Sequence, residues 1–279
     1  MVLAYERSGG ASGNGEPLVL IHGLGSSRSV WNPVLPALAE HFDVIAVDLP
    51  GHGESPPFAP DADATPAGIA ATVGALLDTL SVPTAHVAGN SLGGWVALEL
   101  AAAGRARSVT ALAPAGLWDT TVVPVIAHVN RWAAKVAAPL ASTLMRPAAL
   151  RGLGFWSASA HGATLDQATA VDAVRAHASA RGWAAALAGT HRRKLDPDAV
   201  PVDVPVTIVW GDQDRILPDP QCQKQSMAPR HARWVRLSDC GHVPMWDQPQ
   251  QTIQLIEETA AAAKRRTARS TSPPAAGQG

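Results

Sequence analysis

Short apolar runs that recur between helical stretches limit what this chain can become more than any other feature. Leu18-Val19-Leu20-Ile21, Val44-Ile45-Ala46-Val47, Ala85-His86-Val87-Ala88, Val109-Thr110-Ala111-Leu112 and Val206-Thr207-Ile208-Val209-Trp210 read as buried strands. Trp234-Val235-Arg236-Leu237 reads as a final strand near one edge. Between these runs, Ile69, Val73, Leu76, Leu77 and Leu80 repeat at helical spacing, as do Leu92, Val96, Ala97 and Leu100. Ile253, Ile256 and Ala260 mark a further amphipathic helix entered through Pro249. Strands alternating with helices predict an α/β fold, a mostly parallel sheet wrapped by helices.

The alternation stops between residues 117 and 199, where alanines dominate and Trp118, Trp132, Trp156 and Trp183 are scattered without a β-run. A helical cap over residues 117–199 is the expectation, inserted between core segments 1–116 and 200–263. Open α/β sheets bind ligands at the carboxyl ends of their strands. Trp118, Trp132 and Trp156 are therefore candidates to line an apolar substrate pocket under the cap, the alternative being that they fill a small helical core. Residues 264–279 turn basic and then rich in Ser, Pro and Gly, the composition of a disordered tail.

Composition narrows the partners. Of 279 residues, 47% are apolar and 16% charged, with a net charge of −1, which suits a well-buried globule and not a nucleic-acid binder. Cys222 and Cys240 are too few for a disulfide framework or a zinc site, so a reducing, cytoplasmic setting is expected. The start of the chain lacks a basic segment followed by an apolar stretch, and no run is long enough to span a bilayer. Neither a leader nor a membrane partner is expected, and the sequence carries no sign of an oligomeric state.

Chemistry is concentrated in Gly89-Asn90-Ser91-Leu92-Gly93-Gly94, at the passage from an apolar run to a helical one. A serine at a tight strand-to-helix turn takes a strained backbone conformation, and side chains two residues before and after would collide. Glycine at 89 and 93 removes that collision. The turn also sets the hydroxyl at a helix N-terminus, where exposed N–H groups favour developing negative charge. A serine nucleophile needs a base, and the base needs a partner that fixes its tautomer. His242, in Cys240-Gly241-His242 beyond the last strand, is the expected base. The loop Gly211-Asp212-Gln213-Asp214 offers the acid: Asp214 is preferred, Asp212 is second, and Asp119 after an earlier strand is third. Oxyanion donors are expected at the backbone N–H groups of Leu92 and of Leu24, in His22-Gly23-Leu24-Gly25. His22 is assigned to bonding the loop backbone and not to catalysis. No metal-ligand cluster and no cofactor motif is visible, so none is expected.

Together, His22-Gly23-Leu24-Gly25, Asp48-Leu49-Pro50-Gly51-His52-Gly53-Glu54-Ser55, the turn at Ser91, the Gly211–Asp214 loop and Gly241-His242 resemble the α/β-hydrolase superfamily, in its capped serine esterase-like branch. The resemblance runs from Gly15 to about Ala261 and makes Asp48–Ser55 a structural loop. Haloalkane dehalogenases and epoxide hydrolases of this fold use an aspartate nucleophile, whereas position 91 is serine. The family usually opens with a β-hairpin, and here only one strand fits, between Val2 and Arg7.

The resemblance implies a serine hydrolase that cleaves a carboxylic ester of a small hydrophobic substrate through an acyl-enzyme. A second reading follows from Asn90, grouped here with the substrate-binding candidates. It is similar to the neighbour of the nucleophile in carbon–carbon hydrolases of aromatic degradation, although those usually carry tryptophan where this chain has Val243. Cleavage of a vinylogous diketone or opening of a lactone would then require a cap arginine, Arg131, Arg146, Arg175 or Arg181, facing Ser91. A small-molecule receptor that keeps the three residues without turnover is the reading from another class.

Overall fold

The computed structural model describes residues 2–9, 15–118 and 125–271, with side chains to residue 265. Seven strands form one sheet: β1 (Tyr5–Ser8), β2 (Glu16–Ile21), β3 (Phe42–Val47), β4 (Ala85–Asn90), β5 (Ala106–Leu112), β6 (Val206–Gly211) and β7 (Arg233–Leu237). Their order is β1-β3-β2-β4-β5-β6-β7. Only β1 runs antiparallel, pairing Tyr5 with Val47 and Ser8 with Val44. This strand is the single element before β2 that the sequence left room for.

Alternation along the central strands builds two cores. Val19 and Ile21 of β2, with Ile45 and Val47 of β3, face one side of the sheet. Leu18, Leu20, Val44 and Ala46 face the other. Each such side chain contributes about 1.5–3 kcal/mol on full burial. Helices α2 (Pro66–Thr79) and α3 (Leu92–Ala102) cover the first face, through Ile69, Val73, Leu77, Trp95 and Val96. On the second, α1 (Leu35–His41) contributes Leu38, and α10 (Pro249–Thr271) contributes Leu255, Ile256 and Ala260. Helix α10 continues to Thr271, past the boundary at residue 263 where a tail was expected to begin. Thr65 caps α2 by accepting the Gly68 N–H at 3.2 Å, and Pro66 occupies the first helical position.

Between β5 and β6 the described chain is helical: α4 (Val125–Ala137), α5 (Ala141–Leu144), α6 (Ala148–Phe155), α7 (Gln167–Ser179) and α8 (Trp183–Arg192). Met145, Phe155, Leu165 and Val171 form a small core of their own within this layer. After β7 comes the short helix α9 (Pro244–Asp247).

The chain passes from β2 outward to β3, then crosses back to β4 on the other side of β2. That reversal opens a crevice at the carboxyl ends of β2 and β4, where this class of sheet places its ligands. Gly23 and Leu24 lie two and three residues past the end of β2, and Ser91 directly follows β4.

Candidate active site

Ser91 stands between β4 and α3 with φ 56° and ψ −117°, a backbone state that L-residues rarely occupy. The strain is held by its surroundings: Ser91 N–H donates to Leu112 O at 2.9 Å, and Ser91 O accepts from Gly94 N and Ala115 N, each at 2.9 Å. The two glycines are required by contact. A β-carbon at 89 would lie 2.1 Å from Gly93 O, and one at 93 would lie 2.2 Å from Ile21 O.

The loop after β2 presses on this turn, since a β-carbon at Gly23 would sit 3.0 Å from Ser91 Cβ. Leu24 and Leu92 both line the same cavity as Ser91. Among the described residues, no hydrogen bond engages either N–H, and Leu92 opens α3, where the first N–H groups have no partner within the helix. His22 is occupied elsewhere. Its Nδ1 donates to Gly23 O at 2.7 Å and its Nε2 accepts the Leu49 N–H at 3.0 Å. Burial holds the His22 imidazole well below its ordinary pKa, so it stays neutral and pins the loop.

Asp48 organises the neighbouring loop. Its buried carboxylate accepts the backbone N–H of Arg28 at 2.7 Å and of Glu54 at 3.0 Å, and pairs with the Arg28 guanidinium. His52 in that loop donates from Nδ1 to Pro50 O at 3.0 Å, and Gly51 O accepts the Gly182 N–H at 2.9 Å, which joins the loop to the helical layer.

Opposite Ser91, the loops after β6 and β7 bring an acid and a histidine together. His242 Nδ1 donates to Asp214 Oδ2 at 2.8 Å. Asp214 Oδ1 accepts Ile216 N–H at 2.9 Å and Leu217 N–H at 2.8 Å, so the carboxylate is fixed in orientation as well as paired. Asp212 turns the other way and accepts the Cys240 N–H at 3.2 Å. Asp119 lies outside the described residues. With Nδ1 engaged, Nε2 is the ring nitrogen of His242 left for chemistry, and His242 and Ser91 line one cavity. Among the described residues, no hydrogen bond reaches Ser91 Oγ; hydrogen bonds of this kind often tighten only when a substrate is present.

The cavity holds about 260 Å³ and is walled mainly by apolar side chains, among them Trp118, Met145, Phe155, Trp183, Ile216 and Trp246. Among the described residues, no Lys, Arg, Asp or Glu lines it. Trp118 is in the cavity wall and packs edge-on to Trp95, ring centroids 5.8 Å apart. Trp132 and Trp156 are not in it. Trp132 points outward from α4 and is 69% exposed; Trp156 is 49% exposed and has the Arg215 guanidinium 5.9 Å from its ring centroid. Residue type alone placed these tryptophans in a helical layer without telling which side of it each would face. Asn90 touches the cavity, but its Nδ2 is committed to two backbone carbonyls, His242 O at 2.9 Å and Leu112 O at 3.2 Å. Of the four cap arginines, none lines the cavity: Arg131 donates to Ala180 O at 2.7 Å and Arg175 to Ser142 Oγ at 2.9 Å.

One residue of the site was missed in the sequence. The Asp247 carboxylate accepts Gly241 N–H at 2.7 Å, Ala160 N–H at 2.9 Å, His161 N–H at 3.2 Å and the Ser159 hydroxyl at 2.5 Å. It ties the loop carrying His242 to the helical layer, a link reinforced by Val243 N–H donating to Ala158 O at 3.0 Å. No local pattern signals this, because most of its partners are backbone groups distant in the chain.

Comparison with known proteins agrees with this architecture. The sequence profile of the Alpha/beta hydrolase family matches residues 18–255. A dihydrolipoyllysine-residue acetyltransferase component of an acetoin cleaving system from Pseudomonas putida is 33% identical over 86% of this chain, and the chain spans 62% of that relative's length. A pimeloyl-acyl-carrier-protein methyl ester esterase from Aeromonas hydrophila is 30% identical over 88% of this chain and 95% of its own. The enol-lactonase of Burkholderia xenovorans superposes with a TM-score of 0.70 at 25% identity, covering 93% of this chain and 96% of the other.

Proposed function

Because the chain belongs to the Alpha/beta hydrolase family, we propose that it is a serine hydrolase of carboxylic esters with small hydrophobic substituents, acting through an acyl-enzyme. Ser91 Oγ attacks the ester carbonyl while His242 Nε2 takes its proton. Asp214, accepting from Nδ1, stabilises the imidazolium so formed. The N–H groups of Leu24 and Leu92 receive the oxyanion, and each such donor is worth about 100- to 1000-fold in rate. His242 then returns the proton to the departing alcohol. Water, deprotonated by the same nitrogen, cleaves the acyl-enzyme and regenerates Ser91.

One observation carries the reading: a strained serine and a carboxylate-anchored histidine share the wall of a single apolar cavity. The helical layer over residues 117–199 is proposed as the cap that keeps this cavity dry, with Trp118 and Trp183 supplying apolar surface to an acyl or alcohol group. The absence of a cationic side chain from the cavity's described lining disfavours carbon–carbon cleavage, which would need a partner for the substrate carboxylate. Opening of a lactone that carries no carboxylate needs no such arginine, would use the same groups as ester cleavage and is the second reading, supported by the likeness to the enol-lactonase.

The test is a hydrolysis screen with aryl esters of graded chain length, one lactone and one dienoate, on the wild type beside Ser91→Ala. Turnover rising with acyl length over the first few carbons and abolished in the variant is expected. Activity that survives in Ser91→Ala removes the serine from the mechanism, and faster consumption of the dienoate reverses the ranking.

A further inference from the structure

We propose that the outer face of α4 and α6 docks on an anionic lipid surface. Val125, Val129, Trp132 and Val136 of α4, followed by Leu140, recur at spacings of three to four residues and are each between 51% and 73% exposed. That spacing puts them on one side of the helix. The opposite side faces the cavity through Ala127, Asn130, Ala134 and Ala137. Helix α4 is thus a wall with apolar surface on both sides. Leu150, Leu153 and Trp156, on or just after α6, are exposed as well, and Asn130 Nδ2 donating to Ser157 Oγ at 3.0 Å holds the two segments side by side.

Charge identifies what meets this face. From Asp119 to Asp166 the sequence contains no acidic residue, yet it carries Arg131, Lys135, Arg146 and Arg151 in a chain whose net charge is −1. Among the described residues, none of these four is in an ion pair with a carboxylate. Acids resume with Asp166, which caps the N-terminus of α7, and Asp172 within it. A second copy of the chain would bring the same cationic surplus against itself in a two-fold interface, so self-association is opposed. An acidic protein would be met by charges spread through the contact. Here Lys135 lies at one flank of a continuous apolar stripe with a tryptophan at its centre. That is the arrangement of a helix lying in a bilayer interface, apolar face toward the acyl chains and cations among anionic headgroups. The contact is peripheral, and no described helix is long and apolar enough to cross a membrane. It departs from the sequence expectation of no membrane partner, which considered only spans.

The experiment is co-sedimentation of the full chain with vesicles of phosphatidylcholine alone and of phosphatidylcholine with phosphatidylglycerol. Pelleting with the anionic vesicles, little with the neutral ones, and release by salt are expected. Val129→Asp/Val136→Asp should abolish pelleting while leaving hydrolysis of a soluble short ester and the Tm within error of wild type. Lys135→Gln/Arg146→Gln should weaken partition about 25-fold, at about fivefold for each cation near an anionic surface. Equal pelleting with both vesicle types, or none with either, overturns the proposal. So does a dimer in sedimentation velocity that Val129→Asp/Val136→Asp dissolves. Vesicle binding needs no turnover, so this proposal and the ester-hydrolase reading fail separately.

Discussion

Asp214 Oδ2 accepts the Nδ1–H of His242 at 2.8 Å while its second oxygen is held by the backbone N–H groups of Ile216 and Leu217. The carboxylate cannot rotate without losing all three bonds, so it fixes both the tautomer and the plane of the imidazole. Asp214→Asn is expected to lower kcat by about 10⁴-fold, because an amide can present an N–H to Nδ1 and select the wrong tautomer. Asp212→Asn, on a carboxylate that serves Cys240 N–H, should cost less than about tenfold, as expected of a group outside the reacting set. Steady-state kinetics on an ester found in the screen decides between them; the reverse order of effects would transfer the acid's role to Asp212.

Gly93→Ala is expected to be among the most damaging single-methyl additions. The new carbon would lie 2.2 Å from Ile21 O and 2.6 Å from His22 O, both rigid backbone atoms. Relief requires the turn carrying Ser91 to separate from the loop that presents Leu24. Stability should fall by about 2–4 kcal/mol, read as a lower Tm, and turnover should be lost even in the folded fraction. An alanine variant with wild-type Tm and rate would mean that the contact between the two loops is not as described.

Asp247→Asn tests whether the histidine loop needs its tether. Four donors converge on the Asp247 carboxylate, and an amide accepts at one atom only, turning an NH₂ toward the rest. The site is partly exposed, so a loss of about 2 kcal/mol is expected and not the sum of four charged hydrogen bonds. A positioning role predicts a fall in kcat with KM little changed. A loss of stability with kcat intact would restrict Asp247 to a structural part.

Acid should weaken the fold before most carboxylates titrate. Burial pushes His177 down to about 4 and His52 down to about 3, whereas both rise toward about 6.5 in the unfolded chain. Between those values the unfolded state binds more protons than the folded one, so the stability these residues confer is complete above about pH 6.5 and is lost as pH falls toward 4 and then 3. Thermal melts should give a lower Tm near pH 5 than near pH 7, with a smaller difference in His177→Gln. Identical melts at the two values would contradict this.

The sheet was legible because its central strands are covered on both faces, and such strands leave uninterrupted apolar runs that few other elements produce. The candidates Ser91, Asp214 and His242 could be singled out in the sequence because each follows a strand end and is flanked by glycine or a turn. The tryptophans were not legible: a helix with apolar residues on two sides, as α4 has, gives a periodic signal that fits burial and exposure equally. Trp118 and Trp132 differ in what packs against them: Trp95 lies edge-on to the first, and the second faces outward. Asp247 was hidden for a related reason, since three of its four partners are main-chain N–H groups, which every residue except proline possesses.

The side-chain amide of Asn90 grips the carbonyl of His242 from the position next to Ser91. The end of β4 and the loop after β7, 152 residues apart in the chain, are thereby tied to each other by a single side-chain-to-backbone hydrogen bond. The proposed nucleophile and its proposed base therefore sit on segments joined to each other directly as well as through the sheet. On the proposed mechanism, the spacing of the reacting pair would then depend on this tie more than on the helices that wall the cavity.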